Sequence, residues 1–508
     1  MKIFSADQIR KLDAYTIQHE PISSIDLMER AAMAFCQWFV QQFPDRNKEI
    51  HIFCGPGNNG GDGLAIARML GKDFYEVKTY LLRLSPNLSP DAAENLRRLN
   101  HFEGNNKTVE LTENDAFPEV PNNSIVIDAI FGSGLNKPLS PYLAGHISDL
   151  NQHPATKIAV DIPSGMFADQ HTEGISFHAD WTFSFEFPKR AFFYAENQHR
   201  VGNWVYESIG LHPDFIENEP TPYFLMDEKR TKQLIRQRHR HDHKGSFGHA
   251  LLVAGSYGKI GAAVLAARAC YRSGAGLVTV HAPKCGYEIL QIAIPEAMVS
   301  VDGHQYAVTS FQEELSRYKA IGVGCGIGTN DMTAHALADL LGRTTVPVVL
   351  DADALNLLAG HPDFFKILPK NSILTPHPRE FERMFGPSAN DFERNDLQMK
   401  KAQELGVFLI LKGANSSIAT PDGQCFFNNT GNPGMATGGS GDVLTGILTG
   451  LLAQGYSPLE ACQLGVYLHG LAGDLAMNDL QQEALLAGDI TSHLGRAFKK
   501  LKSCNHEN

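Results

Sequence analysis

Short apolar runs alternate with longer amphipathic stretches along most of this chain. In the first half, runs at 49–54, 77–82, 124–127 and 157–160 are too short for helices, and turn residues bound them. The segments between them carry helical spacing. Ser5-x-x-Gln8 and Ser23-x-x-Asp26 read as helix starts, the second opening a long helix through Phe35, Trp38 and Phe39. Strand and helix in alternation predict a parallel, doubly wound sheet. The pattern fades over 211–228 into Pro, Asn, Asp and Glu, then a second α/β series starts. Its strand runs fall at 250–254, 277–280, 320–323, 346–350, 372–375 and 407–411, and Pro421-Asp422-Gly423 predicts a hairpin turn. The expected organisation is two α/β domains, at 1–215 and 229–508, joined by a linker at 216–228.

Composition narrows the functional classes. A chain of 508 residues is too long for one ordinary core, and 43% hydrophobic with 20% charged residues is a usual globular balance. A net charge of -12 argues against a general nucleic-acid or anionic-membrane partner. The basic run at 236–244 reads as a solvated segment rather than a phosphate-steering patch. The eight cysteines (36, 54, 270, 285, 325, 425, 462 and 504) form no C-x-x-C pair, so neither zinc nor a disulfide framework is expected. Without a signal-like apolar segment or a membrane-length run, the expected location is the cytoplasm.

Two sets of loops carry chemistry. Near the C-terminus, 432–442 (NPGMATGGSGD) leads small residues into Asp442, and an apolar helical run follows. Glycines admit a ligand close to the backbone, and a helix start offers unpaired N–H groups to an anion. A carboxylate at that place makes sense if it takes a proton from a hydroxyl while the N–H groups hold a phosphoryl group. In the first half, 55–63 (GPGNNGGDG), 128–134 (DAIFGSG) and 161–165 (DIPSG) each follow a strand run. Parallel topology gathers such loops on one face, so Asn59, Asp128, Asp161 and Ser164 should converge. Their oxygen chemistry suits an alkali or alkaline-earth cation rather than zinc.

The loops GNNGGDG, DAIFGSG and VDIPSG, with the later ADWTFSFEFPKRAFFY, resemble the NAD(P)HX epimerase (YjeF N-terminal) family. That resemblance implies a Rossmann-like fold that interconverts the R and S forms of hydrated NAD(P)H at C6. It implies potassium at Asn59, Asp128 and Ser164, and substrate contacts at Asn58, Asn59, Gly60, Gly61, Asp62, Gly132, Ser133, Gly134, Leu135, Asn136, Lys137, Pro138 and Asp161. Asp161 becomes the candidate acid/base, with Lys189 the second. Phe185-Glu186-Phe187-Pro188 departs from the small residues expected before that lysine.

In the second half, the turn at 255–263, Arg272–Leu277 as RSGAGL, GCGIG at 324–328, DADALN at 351–356, TPHPRE at 375–380, KGANS at 412–416 and MATGGSGD resemble the ADP/ATP-dependent NAD(P)HX dehydratase (YjeF C-terminal) family. This implies a ribokinase-like αβα fold that dehydrates the S form at the expense of ADP or ATP, with Mg2+ accompanying the nucleotide. Asp442 is then the base and touches the hydrate, as do Ala262, Gly326 and His377. Lys412, Gly413, Ala414, Asn415, Ser416 and Gly441 would hold the adenine nucleotide. Cys325 and Arg379 stand where proline and glycine are expected, and Asp351 and Asp353 are as compatible with a strand-end turn as with magnesium. The two resemblances in tandem are similar to the bacterial family of bifunctional enzymes that repair NADHX and NADPHX, and a homo-oligomer is expected. The rival readings are a ribokinase-like small-molecule kinase with a regulatory nucleotide-binding domain, and a first half that only binds or scaffolds.

Overall fold

The computed structural model describes residues 1–102, 108–311 and 314–503; Cys504 lies outside them. The chain forms two compact units, Lys2–Thr221 with Asn390–Phe392, and Met1 with Pro222–Ala389 and the chain from Glu393 onward.

In the first unit, helices α1 (Ala6–His19), α2 (Ser24–Gln42) and α3 (Asn58–Lys72) accompany a sheet of β1 (Ile50–Cys54), β2 (Val77–Leu82), β3 (Thr108–Leu111), β4 (Ile125–Ala129), β5 (Thr156–Val160), β6 (Trp181–Phe185) and β7 (Asn203–Glu207). Ser5 and Gln8 form a capping box at α1, and the Ser23 hydroxyl accepts from Asp26 N at α2, as their spacing predicts. The order is β3-β2-β1-β4-β5-β6-β7, with every pairing parallel. Strands β1 and β4 are buried throughout, as a sheet covered on both faces demands. Ile50, Ile52 and Cys54 join Phe35 and Phe39 in one core, while Phe53 joins Val126 and Ile147 in the other. The order reverses between β1 and β4, so the loops that follow these strands flank a crevice.

The second unit holds β8 (Tyr223–Leu225), β9 (His249–Val253), β10 (Leu277–Ala282), β11 (Met298–Val301), β12 (Ala320–Val323), β13 (Val348–Leu350), β14 (Ile373–Leu374), β15 (Phe408–Leu411), β16 (Ser417–Ala419) and β17 (Cys425–Phe427). They run β11-β10-β9-β12-β13-β14-β15-β16-β17-β8, parallel from β11 to β15 and antiparallel through β15, β16 and β17. The β16–β17 hairpin turns at the predicted 421–423. Ala250 and Leu252 face one core, Leu251 and Val253 the other, so helices cover both faces in an αβα sandwich.

Three local differences from the sequence reading have simple causes. The stretch read as linker contains β8, which pairs parallel with β17; three residues between prolines and acids leave too short a pattern to see. The expected run at 346–350 begins only at Val348, because Pro347 has no N–H to give the ladder. Edge strands β3 and β11 are partly exposed and lack a continuous apolar run. In the basic run, Arg236 lies over the Tyr456 ring and Arg238 over Phe247, so these guanidiniums are surface staples. Among the described residues the seven cysteines are thiols, all buried except the partly exposed Cys285.

Candidate functional site

In the first unit, a cavity of about 560 Å³ opens beside the β1–β4 switch point. The β1 loop enters α3 through Gly57, which offers no side-chain cap and leaves the first N–H groups turned outward. Gly60 is dictated by close approach, since a Cβ there would stand 1.8 Å from the Gly55 carbonyl oxygen. Asn58, Asn59 and Asp62 line the cavity, as do Gly132, Ser133, Gly134, Leu135 and Asn136. Gly60 and Gly61 are buried beneath it, and Lys137 and Pro138 are not among its lining residues.

Asp161 ends β5 at φ +66, a strained conformation for a residue with a side chain. Its Oδ1 lies 2.7 Å from Lys189 Nζ, and its Oδ2 accepts from Ser133 N at 3.3 Å. Lys189 is 1% exposed and also donates to Ser184 Oγ and the Phe187 carbonyl. The bulky 185–188 segment therefore builds the lysine's pocket instead of displacing it. Phe187 and the adjacent turn supply the acceptor, and Glu186, at φ +58, turns its carboxylate to Ser208 and Ile209 N.

Asp128 and Ser164 are in direct contact. Ser164 Oγ donates to Asp128 Oδ1 at 2.6 Å, and Ser164 N donates to Oδ2 at 2.7 Å. Burial pushes Asp128 up to about 6, against the downward pull of its hydrogen bonds from Ser164 and Ile130. Phe131 N donates to Ser164 Oγ, and the next residue, Gly132, packs on the carboxamide of Asn59, whose Nδ2 is buried and unpaired. Asn59, Asp128 and Ser164 thus gather around one loop, and their oxygen chemistry is compatible with an alkali or alkaline-earth cation.

Sequence reasoning passed over the wall that α1 supplies. Ile9, Asp13 and Ile17, four residues apart, line this cavity while Leu12 and Thr16 are buried. Glu186 lines it too. The signal for Asp13 is a lone carboxylate between two apolar residues at helical spacing.

In the second unit, loops after β12, β13 and β15 meet the first turns of the helix Ser440–Ala453 at the carboxyl edge of the sheet. Gly439 caps that helix at φ +97, and Asp442 sits in its first turn. Burial raises Asp442 to about 6; the Cys325 thiol, hydrogen-bonded to it, and the Lys412 charge act the other way, while Asp351 and Asp353 add to the rise. Lys412 Nζ lies 2.7 Å from Asp351 Oδ1 and 3.9 Å from Glu380 Oε2. Burial opposes the charge of Lys412, yet these two carboxylates hold its pKa above the ordinary value. Gly441 packs on the Asp351–Lys412 pair: a Cβ there would meet Asp351 Oδ2 at 3.2 Å and Lys412 Nζ at 3.4 Å.

Gly326, at φ +66, lies against Lys259 and the Cβ of Ala262, so two expected hydrate contacts adjoin. Gly413 and Ser416 close a turn through Ser416 Oγ, leaving Gly413 and Ala414 exposed and Asn415 half-buried. His377 caps the helix Pro378–Phe385, its Nδ1 accepting from Arg379 N and Glu380 N, and Nε2 lies 3.4 Å from Glu380. Burial lowers its pKa. Arg379, in place of the expected glycine, enters through its backbone N–H. Asp351 also accepts from Thr445 Oγ1, and Asp353 accepts from Lys259 and Gly328 N. Asp351 thus accepts protein donors on both oxygens, while both contacts of Asp353 fall on its Oδ2. Sequence reading also missed His469, which reaches the Ser440 carbonyl and is lowered to about 4 by burial. It braces the helix start as a neutral ring.

Comparison with known proteins agrees with this division. Residues 24–191 match the family model for the YjeF-related protein N-terminus, and 250–496 match that for NAD(P)H-hydrate dehydratase. The bifunctional NAD(P)H-hydrate repair enzyme Nnr of Moorella thermoacetica is 35% identical over 99% of this chain and 97% of its own length. Its namesake from Escherichia coli is 32% identical over 99% of this chain and 96% of its own. A crystal structure of the ADP/ATP-dependent NAD(P)H-hydrate dehydratase of Bacillus subtilis, co-crystallised with ATP/Mg2+, is 33% identical over 55% of this chain and 99% of that one, with a TM-score of 0.49.

Proposed function

The chain belongs to the family of bifunctional NAD(P)H-hydrate repair enzymes, and from that premise we propose how its two sites divide the work. The first unit epimerises R- and S-NAD(P)HX at C6. The second dehydrates the S form to NAD(P)H, consuming an adenine nucleotide. Each needs the other, because a stereospecific dehydratase strands the opposite epimer.

The observation that carries the second activity is the meeting of Asp442, Lys412 and Gly441 at one helix start. Asp442 takes the proton of the C6 hydroxyl as its oxygen attacks the terminal phosphoryl group of ADP or ATP. Lys412 and the N–H groups of the first turn stabilise the charge developing on the transferred phosphoryl oxygens. The phosphate then leaves C6 and a proton leaves C5, restoring the ring double bond. Ala262, Gly326 and His377 border the hydrate, and 412–416 with Gly441 border the nucleotide. Magnesium would arrive with the nucleotide.

In the first unit, Asp161 exchanges the proton and Lys189 holds its carboxylate in place. The 58–62 turn and 132–136 line the substrate cavity. Potassium would be held by Asn59, Asp128 and Ser164, supplying a fixed positive charge beneath that cavity. A cytoplasmic location, supported by the free cysteines, and a homo-oligomeric state, supported by exposed Ile289, Ile292 and Met298, complete the reading.

The test is a mixture of R and S hydrates with nucleotide and potassium, followed by NADH absorbance. Wild type should recover all of it, Asp161→Asn only the S fraction beyond slow spontaneous epimerisation, and Asp442→Asn none. Dehydration by Asp442→Asn at the wild-type rate would refute the proposed base.

A further inference from the structure

Inverting C6 of the hydrate is a problem of two faces. The C6 hydroxyl sits next to the ring nitrogen N1. If the hydroxyl oxygen gains a proton, the C6–O bond can break as the N1 lone pair forms an N1=C6 double bond, and water departs. A second water then adds to the opposite face of the planar ring, its oxygen bonding to C6, the N1=C6 pair returning to N1 and its extra proton going to a base. Atoms and charge balance with water alone. The route needs a group that gives a proton and another that takes one.

In the R-to-S direction Asp161 suits the accepting task. Both its oxygens are engaged as acceptors, by Lys189 Nζ and Ser133 N. It can take a proton from water but has none to give at the start.

The donor is visible on α1. Asp13 stands mid-helix, where no cap requires a carboxylate, between Ile9 and Ile17 on the face that lines the cavity. Among the described residues no side-chain hydrogen bond engages it. A half-buried carboxyl in an apolar stripe, turned to a cavity without a protein partner, has no structural reason to be there.

We propose that Asp13 is the second proton-transfer group of the epimerase cavity, protonating the leaving C6 hydroxyl while Asp161 accepts the proton of the water that adds to the other face. In the reverse direction the roles exchange. Burial, with the charges of Asp161 and Glu186, raises Asp13 to about 7 despite Lys189, so it holds a proton near neutrality. Asp62, across the same cavity, is raised well above the carboxylate range by burial and by Asp161, Asp13 and Asp91, so it adds little charge. Arg10 and Asp91 also line the cavity.

This rests on the epimerase reading of the first unit, and the experiment separates the two. Full-length wild type and Asp13→Asn are given resolved R hydrate in H2(18)O with potassium and no nucleotide. Epimerisation, R-hydrate affinity by equilibrium dialysis and label in the S product are measured. A wild type that does not epimerise sinks the epimerase reading itself. With an active wild type, the expected result is labelled S hydrate, and an Asp13→Asn enzyme with unchanged affinity and turnover at least about 100-fold slower. Turnover within tenfold of wild type overturns the role of Asp13. So does a loss of affinity that accounts for the lost rate, or unlabelled S product from wild type. Nucleotide added afterwards to S hydrate should give the wild-type dehydration rate in both proteins.

Discussion

Lys189 and Asp161 form an ion pair at 2.7 Å, with the lysine 1% and the aspartate 13% exposed. One partner sits in a strained turn after β5, the other at the mouth of the short helix after β6. Their pairing fixes the carboxylate that faces the cavity. Lys189→Met removes the cation and leaves a largely buried carboxylate, which should cost about 3 kcal/mol in the first unit. Denaturant titration should show that loss, and epimerisation should fall with it while dehydration of S hydrate continues.

The φ of +66 at Asp161 separates geometry from chemistry. Asparagine tolerates this conformation, so Asp161→Asn should lose epimerisation without added backbone strain, its stability cost coming from the buried Lys189 cation it leaves unpaired. Asp161→Val should add roughly 1–2 kcal/mol of backbone strain to the same loss. Melting curves of the two variants should differ while their epimerase rates are alike.

Dehydration should depend on pH through Asp442. Its pKa is raised to about 6, and a base works only when ionised, so the rate should fall as pH drops through about 6 and level off above it. The sign for stability is the reverse. A carboxyl with a raised folded pKa favours the folded state most below its unfolded value of 3.8, and that contribution is lost as pH rises through about 6. A kcat profile for S hydrate checks the first statement, and urea midpoints across that window check the second.

Cys325 should set the position of that profile. Its thiol bonds to Asp442 and lowers the pKa of that carboxyl, so Cys325→Ala should shift the kcat midpoint upward. Lys412→Met removes a neighbouring positive charge and should shift it the same way. It should also raise KM for nucleotide and, by leaving Asp351 without its cation, cost about 3 kcal/mol.

Gly439 tests the helix start. A Cβ there would stand 2.5 Å from Leu265 Cδ1, at a φ of +97. Gly439→Ala should therefore lose roughly 1–2 kcal/mol and displace the first turn. Dehydration should fall sharply and epimerisation should be unchanged, measured on the same full-length protein.

Two α/β units, the loops at the strand ends and many of the residues that gather there are readable from the residues alone. Strand periodicity and glycine placement are local properties, so GPGNNGGDG after β1 and MATGGSGD before its helix are legible without coordinates. Sequence also singled out Asp161, through the family resemblance, and Asp442, through the glycine-rich run that it ends. Which charges meet depends on the folded chain. Lys412 reaches Asp351 across 61 positions, and Cys325 reaches Asp442 from a different strand end. It alone placed Asp13, more than 100 residues from Asp161, in the same cavity. It also showed that 185–188 builds the lysine's pocket. Burial and Coulomb interaction depend on distance in space, and in a parallel sheet the crossovers bring together residues that the chain keeps far apart.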